Sequence, residues 1–381
     1  MQLKSINQLK NIKSKRVLLR LDLNVPIVRG KVADDFRIQT AIPTVNLLRD
    51  AGAKVIIVSH IEGKGGESLK PVADHLNERK IPVIFSDKYF TVAAKSILEK
   101  MKDGEVVLFE NVRSNKGETL NSKNFAEKLA AMGDIYVNEA FSVSHRNHAS
   151  IVGVPKLLPS YVGTVFAREV KNLSQAFEPD RPFLFILGGA KFETKLPLIK
   201  KFLSHADFIF VGGALANNFF KELNFEVGQS VVSKGSFNLS GLLKTQKVFI
   251  PTDVVVASGN VAGRGQKVKS VQDVNSNEKI LDVGPRSLIQ LGGLVSQAKF
   301  ILWNGPLGNC EDGFFEGTQK TAEIIAKANA KSVIGGGDTV AAIKKVGLLD
   351  KFTFVSTGGG AMLDFLANET LPGIEAIKDK E

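Results

Sequence analysis

The sequence predicts an α/β fold with two domains, each built on a mostly parallel β-sheet flanked by helices. Short runs rich in Val, Ile, Leu and Phe recur along the chain, each followed by glycine or polar residues and then by a stretch with helical periodicity. This alternation is typical of parallel βαβ units. At ~100–200 residues per domain, a length of 381 residues is enough for two hydrophobic cores.

The apolar runs predict two series of strands, separated by a connecting helix. Apolar residues at Val165, Phe166, Val170, Leu173 and Phe177 suit one helix face, and the prolines at 179 and 182 end that helix. We therefore expect a first domain over 1–161, a connecting helix over 162–178 and a second domain over 179–365. The predicted strands are 17–21, 55–58, 106–109 and 135–137 in the first series, and 183–187, 208–211, 248–250, 300–303, 332–334 and 353–355 in the second.

Charge and cysteine content narrow the class of protein. The chain has 50 Lys and Arg against 39 Asp and Glu, an excess of +11 that favours anionic partners. Its single cysteine, Cys310, forms no internal disulfide, which fits a reducing compartment. The N-terminus lacks the apolar core of a secretory signal, and no apolar run approaches the ~20 residues that span a bilayer. We expect a cytoplasmic protein that does not enter the membrane.

Polar and basic residues follow the predicted strands of the first half. Because parallel strands end at one edge of a sheet, these side chains should surround a common crevice. Arginine binds phosphate and carboxylate through two hydrogen bonds, and Asp or Asn accepts from ligand hydroxyls, so the group fits a small polyanion. Arg37 follows a predicted turn, and the residues just past the strands are Asp22, Asn24, His60, Arg113, His145, Arg146 and His148.

Taken singly, these residues also have plain structural interpretations. Arg146 alone is as well explained by a salt bridge, and His145 or His148 by a hydrogen-bonded packing role. His-x-x-His without a further His or Cys pair is a weak zinc signal. It is the grouping that favours a binding site.

Glycine dominates the strand ends of the second half. Glycines between a strand and a helix let backbone N–H groups approach phosphate oxygens at the positive end of the helix dipole. Tight turns explain any one such loop but explain five poorly, so a nucleotide is the expected ligand. The five segments are GGAKFETK (188–195), GGALANNF (212–219), NGPLG (304–308), GGGDT (335–339) and STGGGA (356–361).

The common nucleotide motifs are absent from the sequence. It contains no G-x-x-x-x-G-K-[ST] motif and no complete dinucleotide fingerprint. Lys191 and Lys195 lie four residues apart on one helix face and suit a polyphosphate. Asp338, directly after a glycine run, makes sense if a divalent cation lies between it and the phosphates.

In this order, these motifs closely resemble those of the phosphoglycerate kinase family. The similarity spans essentially the whole chain and is carried by LRLDLNVP, DDFRIQTAIPT, VIIVSH, SLKPVADHL, FENVR, YVNEAFSVSHRNHAS, LGGAKFETKLPLI, VGGALANNF, LWNGPLG, GGGDT and VSTGGGAMLDFL. It implies two Rossmann-like lobes joined by a hinge helix, with the C-terminal residues, about 366–381, packing back on the first lobe. It also implies a phosphotransferase with a carboxyl group as acceptor.

The resemblance implies that the first lobe binds 3-phosphoglycerate or 1,3-bisphosphoglycerate. Asp22 and Asn24 would contact the glycerate, and His60 and His148 would line the site. Arg37, Arg113 and Arg146 would hold its anionic groups.

It implies further that the second lobe binds ATP or ADP with Mg²⁺. Lys195 would contact the phosphates, Glu311 the ribose and Asp338 the magnesium. The nucleotide contacts implied by the motifs are Gly189, Lys191, Lys195, Gly213, Asn304, Glu311, Gly336, Gly337, Asp338 and Thr339. We expect a monomer that binds no nucleic acid.

One segment departs from the family pattern. After Ser-His the family usually has Leu-Gly-Arg-Pro, whose arginine contacts the phosphoglycerate, whereas this chain has IEGKGGES. Lys64 is the candidate replacement, but it offers a point charge in place of a planar fork, and Glu62 is expected to add repulsion. A catalytically weak homologue with a binding or regulatory role is therefore an alternative. A nucleic-acid-binding protein and an NAD-dependent dehydrogenase are less favoured, for lack of their motifs.

The residue inventory favours direct in-line transfer. No activated nucleophile is evident, and an attacking carboxylate carries no proton at neutral pH, so no general base is required. The protein then has to align the reactants and neutralise the charge of the transferring phosphoryl group. We assign these to Arg37 and Lys195, with the loop amides at Gly336, Gly337 and Gly359 and Mg²⁺ assisting. The lobes must approach during turnover, and the connecting helix and the VSTGGGA loop are the expected hinges.

Overall fold

The computed structural model describes residues 3–62, 68–235, 237–259 and 265–378. The chain forms two compact units. The first comprises Met1–Lys171 and Asn368–Glu381, and the second comprises Asn172–Ala367.

The first unit is built on a six-stranded parallel sheet. Its strands are β1 (Arg16–Arg20), β4 (Lys54–Val58), β5 (Val83–Ser86), β6 (Val106–Phe109), β7 (Ile135–Asn138) and β8 (Ser160–Val162), and β2 (Ile27–Val28) and β3 (Lys31–Val32) form a separate hairpin. The sheet order is β5-β6-β4-β1-β7-β8. The helices are α1 (Phe36–Asp50), α2 (Lys70–Glu78), α3 (Val92–Lys100), α4 (Lys116–Thr119), α5 (Lys123–Ala130) and α6 (Thr164–Ser174).

The central strands are apolar because helices cover both faces of the sheet. Val17, Leu19 and Val55 are fully buried, as are most residues of β4 and β6. Adjacent strands run parallel in register, with Leu19 opposite Ile57 and Val137. This arrangement brings the carboxyl ends of β6, β4, β1 and β7 to one edge.

The second unit contains a second six-stranded parallel sheet, in the order β11-β10-β9-β15-β16-β17. Its strands are β9 (Phe183–Leu187), β10 (Phe208–Val211), β11 (Val248–Phe249), β15 (Phe300–Asn304), β16 (Lys331–Gly335) and β17 (Phe354–Val355). A small antiparallel sheet contains β12 (Asp253–Ser258), β13 (Lys267–Ser270) and β14 (Glu278–Val283).

Helices flank this second sheet, and one further helix returns to the first unit. They are α7 (Phe192–Phe202), α8 (Ala214–Glu222), α9 (Ser240–Leu243), α10 (Pro285–Gln297), α11 (Glu316–Ala326), α12 (Gly337–Lys345) and α13 (Gly360–Asn368). The last helix, α14 (Pro372–Ile377), belongs to the first unit, where the Gly373 N–H donates to the Ser144 carbonyl at 2.8 Å. No helix in the described ranges is long and apolar enough to cross a membrane.

The predicted α/β class and parallel sheets are confirmed, but several elements were missed. The ten expected strands occur with ends shifted by at most one residue, whereas β5, β8 and the antiparallel β12–β14 sheet were not predicted. The expected helix over 162–178 is shorter at both ends, because Val162 pairs in β8 and the helix ends at Ser174.

Candidate functional site

The carboxyl edge of the first unit's sheet collects the side chains predicted for a polyanion site. Asp22 follows β1, His60 follows β4, and Arg113 lies in a 3₁₀ turn, Val112–Ser114, after β6. His148 lies beyond β7, before the helical turn Ala149–Gly153. The ends of four strands therefore contribute side chains to this edge.

Arg37 is held by Asp22. It lies in the first turn of α1, and its Nη1 donates to Asp22 Oδ2, which also accepts from the Ser142 hydroxyl. The Asn24 N–H donates to Asp22 Oδ1 at 3.0 Å. Both Asp22 oxygens thus have protein partners, and the carboxylate fixes the arginine expected to bind an anion.

Arg113 forms an ion pair with Glu62. Its Nη1 donates to Glu62 Oε1, and its buried Nε has no partner among the described residues. Asn24 Oδ1 accepts from the Glu62 N–H at 2.9 Å and so fixes this segment. Glu62 was expected to repel the ligand, and in the structure its carboxylate occupies part of the Arg113 fork. Lys64 lies outside the described residues.

The two predicted site imidazoles are neutral at physiological pH. Burial, followed by the nearby Arg20 and Arg113, holds the pKa of His60 well below its usual value. Burial and then Arg113 lower the pKa of His148 to about 4. A neutral imidazole presents one N–H donor, which suits a ligand oxygen. Arg146 is exposed and His145 half-buried at the same edge.

Sequence reasoning missed three buried residues behind this edge. Arg20 and Glu118 are fully buried charges, and Ser150 lies between them. One signal was available, because Arg20 ends an otherwise apolar run, and a charge in a buried strand requires a partner. Its partner, Glu118, comes from a separate short helix that periodicity does not predict.

In the second unit, Lys195 is buried beside the glycine loops. It lies in the first turn of α7, is 7% exposed, and donates from Nζ to the Gly188 carbonyl. Burial lowers the pKa of Lys195 to about 8, although the Asp338 carboxylate opposes the shift. Lys191 is exposed at the N-cap position of the same helix.

The glycines of these loops fall into two groups. A Cβ at Gly213 would lie 2.7 Å from the Gly189 nitrogen and the Pro306 oxygen, and Gly188 and Gly305 are similarly crowded by backbone. Close packing of the loops explains these three. A Cβ at Gly337 or Gly359 would meet no atom within 4 Å. Loop packing therefore does not require glycine at Gly337 and Gly359, although Gly359 has a positive φ of 53°.

A cavity of about 240 Å³ adjoins the loops. The predicted nucleotide residues Gly189, Gly213, Glu311 and Asp338 line it. Gly336, Gly337 and Thr339 adjoin Asp338 at the start of α12, and the buried Thr339 Oγ1 has no partner among the described residues. Asn304 does not line the cavity, since its Nδ2 faces the Met362 sulfur and its carbonyl accepts from the Gly188 N–H.

The donor set suits a cation that is held mainly by phosphate. Within the described ranges, no group of three or more His, Cys, Asp or Glu side chains could hold a metal ion. Asp338 is exposed at the cavity wall. Mg²⁺ commonly binds through one or two carboxylates together with substrate phosphates and water, so Asp338 fits that role.

Known proteins resemble this chain in sequence over nearly its whole length. Residues 6–369 match the family model described as phosphoglycerate kinase. A phosphoglycerate kinase of Pelotomaculum thermopropionicum is 41% identical over 97% of this chain and 98% of its own length. One from Orientia tsutsugamushi, strain Ikeda, is 41% identical over 97% of this chain and 96% of its own.

Solved structures give the same result. The structure of phosphoglycerate kinase from Coxiella burnetii matches with a TM-score of 0.87 and 35% identity over 99% of both chains. The crystal structure of the enzyme from Pyrococcus horikoshii OT3 matches with a TM-score of 0.85 and 30% identity over 98% of both.

Proposed function

The chain belongs to the phosphoglycerate kinase family, and from that premise we propose which residues carry the phosphoryl transfer between 1,3-bisphosphoglycerate or 3-phosphoglycerate and ADP or ATP. It is a kinase. The observation that supports the assignment is that the two sheet edges carry different chemical groups. One sheet edge carries arginines and neutral imidazoles, and the other carries open glycine amides and a buried lysine.

The first unit's edge binds the phosphorylated three-carbon acid. Arg37, Arg113 and Arg146 neutralise its phosphate and carboxylate, and His60 and His148 donate single hydrogen bonds. Asp22 holds Arg37 and Asn24 holds the Glu62 segment. We assign to both the acceptance of a hydrogen bond from the substrate hydroxyl. Lys64 completes this set in place of the family's arginine.

The second unit's edge binds the nucleotide. Lys195 and Lys191 face the polyphosphate, and the amides from Gly336 to Thr339 together with that of Gly359 surround the transferring group. Gly189, Gly213 and Glu311 line the cavity that takes the nucleoside, and Asn304 supports the Gly188 loop from behind. Asp338 would hold Mg²⁺, which when bound neutralises phosphate charge.

The reaction needs no general base. The carboxylate of 3-phosphoglycerate is already ionised at neutral pH, so its oxygen attacks directly and the protein supplies alignment and positive charge. Arg37 and Lys195 are the groups that neutralise the transferring phosphoryl oxygens. Donor and acceptor must meet, so we include hinge bending at α6 and the 356–361 loop. A cytoplasmic location and a monomeric state are further parts of the proposal.

Arg37→Ala tests the assignment. We expect kcat in a coupled assay with ATP and 3-phosphoglycerate to fall at least about 100-fold, since a charge-assisted contact to the transition state is worth roughly 3 kcal/mol. Nucleotide binding measured by calorimetry should change little. Arg49→Ala, in the last turn of the same helix, is the matched control and should keep normal turnover.

Near-normal turnover of Arg37→Ala would remove Arg37 from the mechanism. Wild-type protein that forms no product in the same assay would instead favour the catalytically weak homologue. Sedimentation of the purified chain measures its oligomeric state.

A further inference from the structure

Three buried residues near the imidazole of His60 are linked to one another by a chain of hydrogen bonds. Arg20 Nε donates to Ser150 Oγ at 2.8 Å, and Ser150 Oγ donates to Glu118 Oε1 at 2.6 Å. Arg20 and Glu118 are 0% exposed and Ser150 is 2% exposed. We call Arg20, Ser150 and Glu118 the buried triad.

The triad holds Arg20 in one orientation. The Ser150 N–H donates to the second Glu118 oxygen, Oε2, at 2.8 Å, so this carboxylate grips the serine through both oxygens. The Tyr136 hydroxyl donates to the Ser150 carbonyl at 2.7 Å, and Arg20 Nη1 donates to the Leu21 carbonyl. A buried guanidinium needs a counter-charge, and Glu118, which Ser150 connects to Arg20, supplies the larger part of it, with a smaller contribution from Asp22.

The remaining Arg20 nitrogen faces the His60 ring. Arg20 Nη2 lies 3.4 Å from His60 Nδ1. A guanidinium has only donors, so a hydrogen bond between these two atoms requires Nδ1 to accept and to carry no proton. The proton of the neutral ring is then on Nε2, which has no protein partner among the described residues and remains available as a donor.

We propose that Glu118 is a positioning residue that, through Ser150 and Arg20, fixes His60 as the Nε2–H tautomer and so presents a ready hydrogen-bond donor to the phosphorylated acid. The part of this proposal that concerns binding of the phosphorylated acid rests on the proposed function. The same carboxylate lies near the second imidazole, with Glu118 Oε1 3.8 Å from His148 Nδ1. One buried carboxylate therefore stands behind both site histidines.

The wild-type chain provides the first test, and a variant is used only to assign the His60 signals. Long-range ¹H–¹⁵N NMR correlations of the imidazoles, with His60 assigned from the spectrum of His60→Gln, report which nitrogen is protonated. We expect unprotonated Nδ1 and protonated Nε2 at pH 7. A protonated Nδ1 would overturn the proposal.

Two variants test the chain of contacts. In Glu118→Gln and in Arg20→Lys, which keeps the charge but not the fork, His60 should shift toward a tautomer mixture. The KM for 3-phosphoglycerate should rise about tenfold, as expected when one hydrogen bond to a charged ligand is lost, with KM for ATP and kcat within about twofold. Glu278→Gln, at a buried glutamate that pairs with Lys269 in the second unit, is the matched control and should leave both readouts unchanged.

The outcomes separate the two claims. If both folded variants keep the wild-type tautomer, Glu118 is only structural and the inference fails. If the wild-type chain has the Nε2–H tautomer but does not turn over 3-phosphoglycerate, the proposed function fails and the tautomer assignment stands.

Discussion

Gly337→Ala separates a ligand requirement from a folding requirement. Gly189, Gly213, Gly336 and Gly359 have φ values of 88°, 58°, 101° and 53°, so alanine at these positions strains the backbone whatever the ligand. Gly337 has no left-handed φ, and a Cβ there meets no atom within 4 Å. Within the described structure, nothing in the fold therefore requires glycine at Gly337.

The expected effects on stability and activity have opposite signs. Alanine is a better helix former than glycine, so the free energy of unfolding should stay constant or rise by up to about 1 kcal/mol. The added methyl group occupies the open space at the start of α12, where we place phosphate oxygens. Losing one charge-assisted hydrogen bond costs about 1.5–3 kcal/mol, which lowers kcat/KM for ATP about 10- to 150-fold.

The assay pairs turnover with chemical denaturation. Gly293→Ala, at an equally open helical position within α10, should give a similar stability change with normal kcat/KM. If Gly337→Ala folds and keeps wild-type kcat/KM, phosphate does not approach that amide and the assignment of the GGGDT loop is refuted.

Two further predictions concern charge at each edge. Glu62→Gln should free Arg113 and lower the KM for 3-phosphoglycerate about two- to fivefold, the effect of an ion pair whose carboxylate is mostly exposed. Glu99→Gln, in an i,i+4 pair with Lys95, is its control, and an unchanged KM in Glu62→Gln would show that the pair does not compete with substrate. For Lys195, whose pKa burial lowers to about 8, kcat/KM for ATP should fall roughly tenfold per pH unit above about 8, because the free enzyme then loses its ammonium. Lys195→Arg, always charged, should remove that decline, and a flat wild-type profile would contradict the assignment.

The sequence predicts the parallel strands well because buried parallel strands are continuous apolar runs. FLFIL and VVLF are unambiguous, and their ends in the structure match the expected bounds. The β12–β14 sheet was missed because β13, KVKS, has a single apolar residue and its strands pair antiparallel outside the main sheet. Such pairing depends on contacts distant in sequence, which periodicity does not report.

The site residues likewise fall into those that the sequence predicts and those that it does not. Residues just past parallel strands, such as His60 and Arg113, were predictable because topology alone brings strand ends to one edge. The hydrogen-bond and ion-pair partners of the site residues were not predictable in this way. Glu62 pairs with Arg113 across 51 positions, and Arg20 contacts Ser150 across 130.

These partners determine which cations at this edge already face a carboxylate. Arg37 and Arg113 each face a carboxylate at this edge, whereas Arg146 is exposed and forms no ion pair among the described residues. Asp22 is 10% exposed and accepts from three groups, so its pair with Arg37 is fixed by the fold. Glu62 is 63% exposed and adjoins the segment that departs from the family pattern, so an anionic ligand can displace it at little cost. We therefore expect the departure at IEGKGGES to act through competition for Arg113 as well as through the missing arginine, and the two effects are separable because Glu62→Gln relieves only the first.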